Sequence, residues 1–89
     1  MNAKIIDEFI DHLWLEDGLS KNTLNSYRFD LELFTEWLAT SLKKNILDVS
    51  QADIQQYLSF KFPTSKSRSI SRLLATLRRL FRYLLRENK

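Results

Sequence analysis

Glycine and proline each occur only once in this chain of 89 residues, as Gly18 and Pro63. A β-sandwich or β-barrel needs a turn roughly every 8 to 12 residues and uses these two residue types in many of those turns. Their scarcity therefore favours helices. The length allows one compact domain with one core. Cysteine is absent, which excludes a disulfide framework and thiolate metal sites and fits a reducing compartment.

The first half of the chain contains two segments with helical spacing of apolar residues. The first segment covers residues 3 to 16, and Gly18 follows it as a left-handed C-terminal cap. The second begins after Ser20 as N-cap and runs to about Ser41. The sequence therefore predicts that these two helices meet at a sharp corner.

The second half contains two more such segments. Ser50 and Asp53 have the spacing of a capping box, so a shorter third helix begins there and ends before Pro63. A fourth helix is expected to start from a cap at Thr64 or Ser65 and to run nearly to the end of the chain. With no strand pattern, the fold predicted is an all-α bundle of four helices. The connection over residues 42 to 48 has no role assigned by the sequence.

Charge is distributed unevenly along the chain, whose formal net charge is +3. Residues 1 to 45 carry five basic and eight acidic side chains, whereas residues 46 to 89 carry nine basic and three acidic ones. Beyond Lys61 the only acid is Glu87. Most of the basic residues there are arginines, which suit planar recognition of phosphate or base edges. A polyanionic partner is the first hypothesis.

Five arginines of the fourth helix lie within about 40° of one line along its surface, at about 100° of rotation per residue. They are Arg68, Arg72, Arg79, Arg82 and Arg86. The apolar residues of this helix lie opposite, centred about 170° from Arg68. No acid of the helix interrupts the line, so we expect these arginines to be unneutralised until a partner supplies negative charge. The alternative is an ordinary solvated helix face.

The starts of the second and fourth helices lack the acidic residue that usually occupies a helix N-terminus. The second has no acid before Asp30, and the fourth has none before Glu87. Free N–H groups and the positive end of the helix dipole attract anions there, and asparagine and arginine can read base edges. We predict DNA-binding residues on the second helix at Lys21, Asn22, Thr23, Asn25 and Arg28, and on the fourth at Lys66, Ser67, Arg68, Arg72, Arg79 and Arg82.

The sequence contains few residues that could support an enzymatic function. His12 is the only histidine, and its position favours a surface or boundary imidazole over a catalytic base. No metal-ligand cluster, glycine-rich phosphate loop or nucleophile motif is present, so no catalytic residue, cofactor or metal is predicted. The longest apolar run is Leu13 to Leu15, too short for a membrane span or signal peptide. These features predict a soluble, cytoplasmic domain.

Most of the chain resembles the N-terminal part of tyrosine site-specific recombinases. The resemblance is carried by Phe9, Leu13 to Glu16, Leu19, Ser20, Asn22 to Leu24, Tyr27, Arg28, Asp30, Leu31, Phe34, Trp37, Leu38, Arg72 to Leu74, Leu77 to Phe81, Tyr83 and Leu84. It implies a four-helix, SAM-like core-binding domain over residues 1–89, whose second and fourth helices approach the major groove of a double-stranded recombination site. The implied processes are chromosome dimer resolution and DNA integration.

The same resemblance limits the expected activity of this chain. In that family the catalytic residues belong to a C-terminal domain, and nothing in these 89 residues matches its motif, so we expect a fragment that cannot cut DNA. The full protein would work with a sister recombinase subunit in a synaptic tetramer.

Two other functions remain open at this point. A small helical bundle could be a protein-interaction module that docks an acidic partner. The fourth helix could also attach to an anionic membrane, although a chain this short needs its apolar residues for the core.

Overall fold

A computed structural model describes residues 2–87 and contains four α-helices, with no strand in that range. The helices are α1 (Asn2–His12), α2 (Lys21–Trp37), α3 (Gln51–Lys61) and α4 (Ser67–Arg86). The predicted all-α, four-helix fold is confirmed.

The turn between α1 and α2 follows the predicted capping. After α1 the chain widens into a π-helical turn, Leu13–Asp17, and Gly18 then adopts φ 63°, with its N–H donating to the carbonyl of Leu13. Only glycine adopts this left-handed conformation at little cost. Ser20 caps α2, since its hydroxyl oxygen accepts a hydrogen bond of 3.2 Å from the backbone N–H of Thr23. Both predicted caps are confirmed.

The connection from α2 to α3 has a structural role that the sequence did not indicate. A second π-helical turn, Leu38–Leu42, ends at Lys43, which is left-handed at φ 54° although it is not glycine. A short 3-10 turn, Ile46–Asp48, follows. Ile46 is completely buried. Ile46 therefore anchors the connection to the core, and Leu42 and Val49 pack against the core at its two ends.

The capping box of α3 is confirmed in both directions. The Ser50 hydroxyl accepts from the Asp53 N–H at 3.2 Å, and the Asp53 carboxylate accepts from the Ser50 N–H at 3.0 Å. Lys44 also donates to that carboxylate at 2.7 Å. The hydrogen bonds from Lys44 and from the Ser50 backbone hold the pKa of Asp53 below its ordinary value. The N-terminus of α3 is thus neutralised by its own chain.

The start of α4 differs from the prediction. The helix begins at Ser67 with Lys66 as its N-cap residue, and no side chain caps it. Thr64 is instead part of a 3-10 turn and donates its hydroxyl to the carbonyl of Lys61, while Ser65 ends that turn in an extended conformation. The predicted cap at Thr64 or Ser65 is therefore wrong, because these residues belong to the proline-containing turn that precedes the helix.

The core is formed by side chains from all four helices and from the connection before α3. Its fully buried members include Phe9, Leu31, Phe34, Leu38, Ile46 and Leu80. Tyr57 of α3 packs between Phe34 and Trp37 of α2, with ring centroids 4.9 and 5.0 Å away. Burial, and then the charge of Asp30, raises the pKa of Tyr57 to about 12. The aromatic residues of α2 and α3 thus hold these two helices together.

Candidate nucleic-acid interface

The face of α4 that packs on the core is rotated from the one that its apolar residues predict. The buried residues are Leu73, Thr76, Leu77, Leu80, Tyr83 and Leu84. Their centre lies about 120° from Arg68 around the helix, where the apolar residues predicted about 170°. Leu85, by contrast, is 80% exposed. This rotation turns one edge of the arginine line towards the neighbouring helices.

Two polar residues make the rotation possible. The Thr76 hydroxyl donates to the carbonyl of Arg72 at 2.8 Å, so it is satisfied although the residue is fully buried. The ring of Tyr83 packs on Phe9 and His12 of α1, with centroids 5.4 and 4.9 Å away. The helix therefore buries these two residues while Leu85 stays outside.

Arg72 forms a bidentate ion pair with Asp30 of α2. Its Nε and Nη2 donate to the two carboxylate oxygens at 2.8 and 3.0 Å. Asp30 is buried, with 8% of its surface exposed. The hydrogen bonds to Asp30 raise the pKa of Arg72 above its ordinary value. The prediction that Arg72 has no acidic neighbour is wrong, because the acid comes from another helix.

Arg79 is also paired. Its Nη1 donates to Asp17 at 3.0 Å, which ties α4 to the turn that precedes α2. Both side chains are about 40% exposed, so solvent screens this pair more than the pair at Asp30. The prediction of an unneutralised guanidinium is wrong here as well, since a helical wheel of α4 does not contain the acids that precede α2.

Five cations at the start and along the outer side of α4 have no carboxylate within 4 Å among residues 2–87. They are Lys66, Arg68, Arg78, Arg82 and Arg86, and all five are exposed. Arg78 was not among the predicted binding residues, because it lies about 80° from the line through Arg68. The rotation of α4 brings it to the outward side. A wheel that counted Thr76 and Tyr83 as buried would have found it.

A shallow groove joins the middle of α4 to the turn before α2. It is lined by Ala75, Arg78, Arg79 and Arg82 of α4 and by Asp17 and Leu19. The small side chain of Ala75 leaves the backbone of α4 open to a partner at this point. The groove thus brings the unpaired arginines of α4 next to the start of α2.

The predicted residues at the start of α2 are accessible. Lys21, Asn22 and Asn25 are exposed. Thr23 is half-buried, and its hydroxyl accepts from the Ser20 hydroxyl at 2.9 Å. No acid lies in the first turn of α2 or of α4, and the first turn of α4 contains exposed Ser67 beside Lys66.

Arg28 lies apart from this surface. It pairs with Asp7 of α1, across a cleft whose lining also includes Glu32 and Glu36. Around α2 it is about 160° from Asp30, the residue that faces α4. The structure therefore does not bring Arg28 together with the arginines of α4.

The described part of the chain contains neither a metal-binding cluster nor a membrane-spanning helix. Between residues 2 and 87 no group of three or more histidine or acidic side chains could hold a metal ion. No helix in that range has the length and apolar character needed to cross a membrane.

Comparison with known proteins gives one family and a consistent set of relatives. Residues 6–88 match the profile of the phage integrase N-terminal SAM-like domain. The chain is 47% identical to the tyrosine recombinase XerD of Proteus mirabilis over 87 residues, which is 97% of this chain and 28% of that protein. It is 46% identical to XerD of Pseudomonas putida over 88 residues, 98% of this chain and 29% of that protein. The chain thus spans less than a third of these relatives. No solved structure matches it.

Proposed function

Because the chain belongs to the phage integrase N-terminal SAM-like domain family, we propose that it is the DNA-binding module of a Xer-type tyrosine recombinase. In this proposal α2 and α4 grip one face of a double-stranded recombination site. The module serves DNA integration and chromosome dimer resolution, and strand cleavage belongs to a separate catalytic domain. No residue of this chain has a catalytic role.

The observation that carries the proposal is the row of unpaired cations beside the start of α2. Arg68, Arg78 and Arg82 are exposed on α4 and have no carboxylate partner among residues 2–87, and the groove at Ala75 continues from them towards α2. Such a row is costly in an isolated protein, since like charges repel one another. Phosphates of a DNA backbone relieve the repulsion and release counterions.

Different residues have different roles in this proposal. Lys66, Arg68 and Arg82 contact phosphates, which fix the position of the domain and dominate its affinity. Asn22 and Asn25 offer amide groups that match the edge of adenine in a major groove. Lys21, Thr23 and Ser67 bind phosphate at the helix starts together with backbone N–H groups.

The paired arginines have a more limited part. Asp30 engages Nε and Nη2 of Arg72, which leaves Nη1 for a phosphate or a base. Arg79 can exchange Asp17 for a phosphate, because that pair is solvent-accessible. Arg28 contacts DNA only after it separates from Asp7, so its contribution is the smallest of the predicted set.

The full recombinase would assemble on DNA with a XerC-like sister subunit in a synaptic tetramer. The relatives are themselves tyrosine recombinases and are more than three times as long as the matched region.

The proposal is tested by measuring the binding of this chain to a fluorescein-labelled DNA duplex by fluorescence anisotropy as salt is raised from about 50 to 200 mM. With about five phosphates neutralised, log K falls against log salt with a slope of roughly −4 to −5. An acidic protein of matched charge is the control for the alternative function. Equal binding to that protein, or a salt-insensitive complex with DNA, would overturn the proposal.

A further inference from the structure

A small pocket lies between the C-terminal end of α1 and the C-terminal half of α4, and the predicted binding surface does not include all of it. Its volume is about 140 Å³, and the charged or titratable residues His12, Asp17, Arg79, Arg82 and Arg86 line it above an apolar floor. Three of these, His12, Asp17 and Arg86, are outside the predicted set of DNA-binding residues. A pocket of this size has room for one phosphate group.

The pocket is positively charged although it contains an acid. Asp17 is paired with Arg79 at 3.0 Å, so these two charges offset each other. Arg82 and Arg86 are exposed and have no carboxylate within 4 Å among the described residues. Two guanidinium groups therefore remain for an anion.

The charge of the pocket depends on whether the imidazole of His12 is protonated. Its ring packs on Tyr83, and Nη2 of Arg86 lies 2.5 Å from its Nε2. A guanidinium has only donors, so this contact requires Nε2 to be an acceptor and the imidazole to be neutral. A protonated ring would place two cations in contact. An anion between the two groups would allow both of them to donate.

We propose that this pocket binds one phosphate of the DNA backbone through Arg82, Arg86 and protonated His12, so that DNA binding takes up a proton. The proposal rests on the proposed function and adds a pH-dependent contact to it. Phosphate oxygens accept hydrogen bonds from all three side chains, and these charge-assisted bonds are stronger than neutral ones.

Other groups around His12 do not supply this proton. Burial, and then the charges of Glu8 and Glu87, raises the pKa of Tyr83, so its hydroxyl remains protonated. Asp17 is held by Arg79 across the pocket. His12 is the only histidine of the chain, and histidine is the side chain whose ordinary titration lies between about pH 5 and 8.

The direct test follows the imidazole of His12 by proton NMR, where a single histidine gives unambiguous signals. We expect the midpoint of its pH titration to move to higher pH when a saturating DNA duplex is added. Inorganic phosphate alone should move it in the same direction by a smaller amount.

Two matched variants separate the pocket from general electrostatics. Arg86→Gln and Arg68→Gln each remove one exposed arginine of α4, but only Arg86 lines the pocket. We expect Arg86→Gln to abolish the movement of the midpoint, whereas Arg68→Gln weakens DNA binding and leaves the movement intact at saturation. A control variant combines Ser71→His with His12→Gln, which places the single histidine on the same face of α4 but outside the pocket. The movement of its titration midpoint measures the effect of the electrostatic field of the duplex alone.

Affinity gives an independent readout. Uptake of one proton changes Kd by at most about tenfold per pH unit, so we expect about threefold or greater tightening from pH 8 to pH 6. His12→Gln should remove this dependence.

Three outcomes would overturn the proposal for this pocket while leaving the proposed function in place. The duplex could bind without moving the titration midpoint of His12, or the midpoint of the histidine introduced by Ser71→His could move equally. The third outcome is that DNA affinity keeps the same pH dependence in His12→Gln. If the duplex does not bind at all, the proposed function fails. The titration with inorganic phosphate then tests the pocket by itself. If phosphate does not move the titration midpoint of His12, the proposal for the pocket is overturned.

Discussion

Arginines on the two sides of α4 have the same chemistry and different surroundings. Arg72 and Arg79, on the side that meets α2 and the turn before it, pair with Asp30 and Asp17. Arg68 and Arg82, further round the same helix, have no such partner among residues 2–87. A basic helix face can therefore combine two functions, since the paired arginines join helices while the unpaired ones remain for a ligand.

The two ion pairs also differ from each other. Asp30 is buried and accepts two hydrogen bonds from one guanidinium, so loss of its partner leaves a carboxylate without compensation in the protein. Asp17 and Arg79 are both about 40% exposed, and such pairs contribute roughly 0 to 1 kcal/mol. The pair at Asp30 is therefore the main electrostatic link between α2 and α4.

The largest expected effect follows from breaking that link. Arg72→Ala should lower the free energy of unfolding by about 1 to 3 kcal/mol, less than for a fully buried pair because 40% of the Arg72 side chain is exposed. Urea denaturation followed by circular dichroism measures this. The double variant Asp30→Asn with Arg72→Gln should lose less free energy of unfolding than the sum of the losses in Asp30→Asn and in Arg72→Gln. Unchanged stability of Arg72→Ala would mean that the pair does not hold the helices.

A smaller effect, on affinity instead of stability, is expected on the unpaired side. Arg68→Gln combined with Arg82→Gln should reduce the magnitude of the salt slope for DNA binding by about 2, one for each lost phosphate contact. Stability should stay within about 0.5 kcal/mol of the original chain. Arg28→Gln is the control, because it removes a charge that is paired with Asp7 on the α1 side. An equal effect in Arg28→Gln would abolish the distinction between the two surfaces.

The smallest expected effect concerns the helix start that is already neutralised. The folded pKa of Asp53 lies below its ordinary value of 3.8, so the stability that its ionised form provides is present above about pH 4 and is lost as the pH falls further. Asp53→Asn should be less stable than the original chain at neutral pH, and its urea midpoint should decline less below pH 4. Parallel curves of the two proteins against pH would contradict the role of this carboxylate.

Much of the fold could be predicted because its determinants are local. Gly18, Ser20 and the Ser50–Asp53 capping box each act within a few residues, and all three are present as predicted. The start of α4 was misplaced for an equally local reason, since Thr64 takes part in the turn before the helix. Such competition between neighbouring hydroxyl groups is not resolved by spacing alone.

The candidate site was predictable in composition but not in arrangement. The sequence placed arginines on one side of the fourth helix, but it could not show which of them meet an acid. The apolar pattern of α4 also predicted the wrong buried face, because Thr76 and Tyr83 are buried while Leu85 is exposed. As a result Arg78 was omitted and Arg72 was expected to be unpaired.

Local patterns in the amino-acid sequence are enough to predict four helices, most of their ends and the excess of positive charge on the last one, because caps and periodicity act between residues within about one turn. Which of those charges remain for a partner depends on how the helices pack. Asp30 and Arg72 are 42 residues apart in the chain, and Asp17 and Arg79 are 62 apart. Coulomb attraction depends on distance in space, and the packing of α4 against α2 and the preceding turn sets that distance.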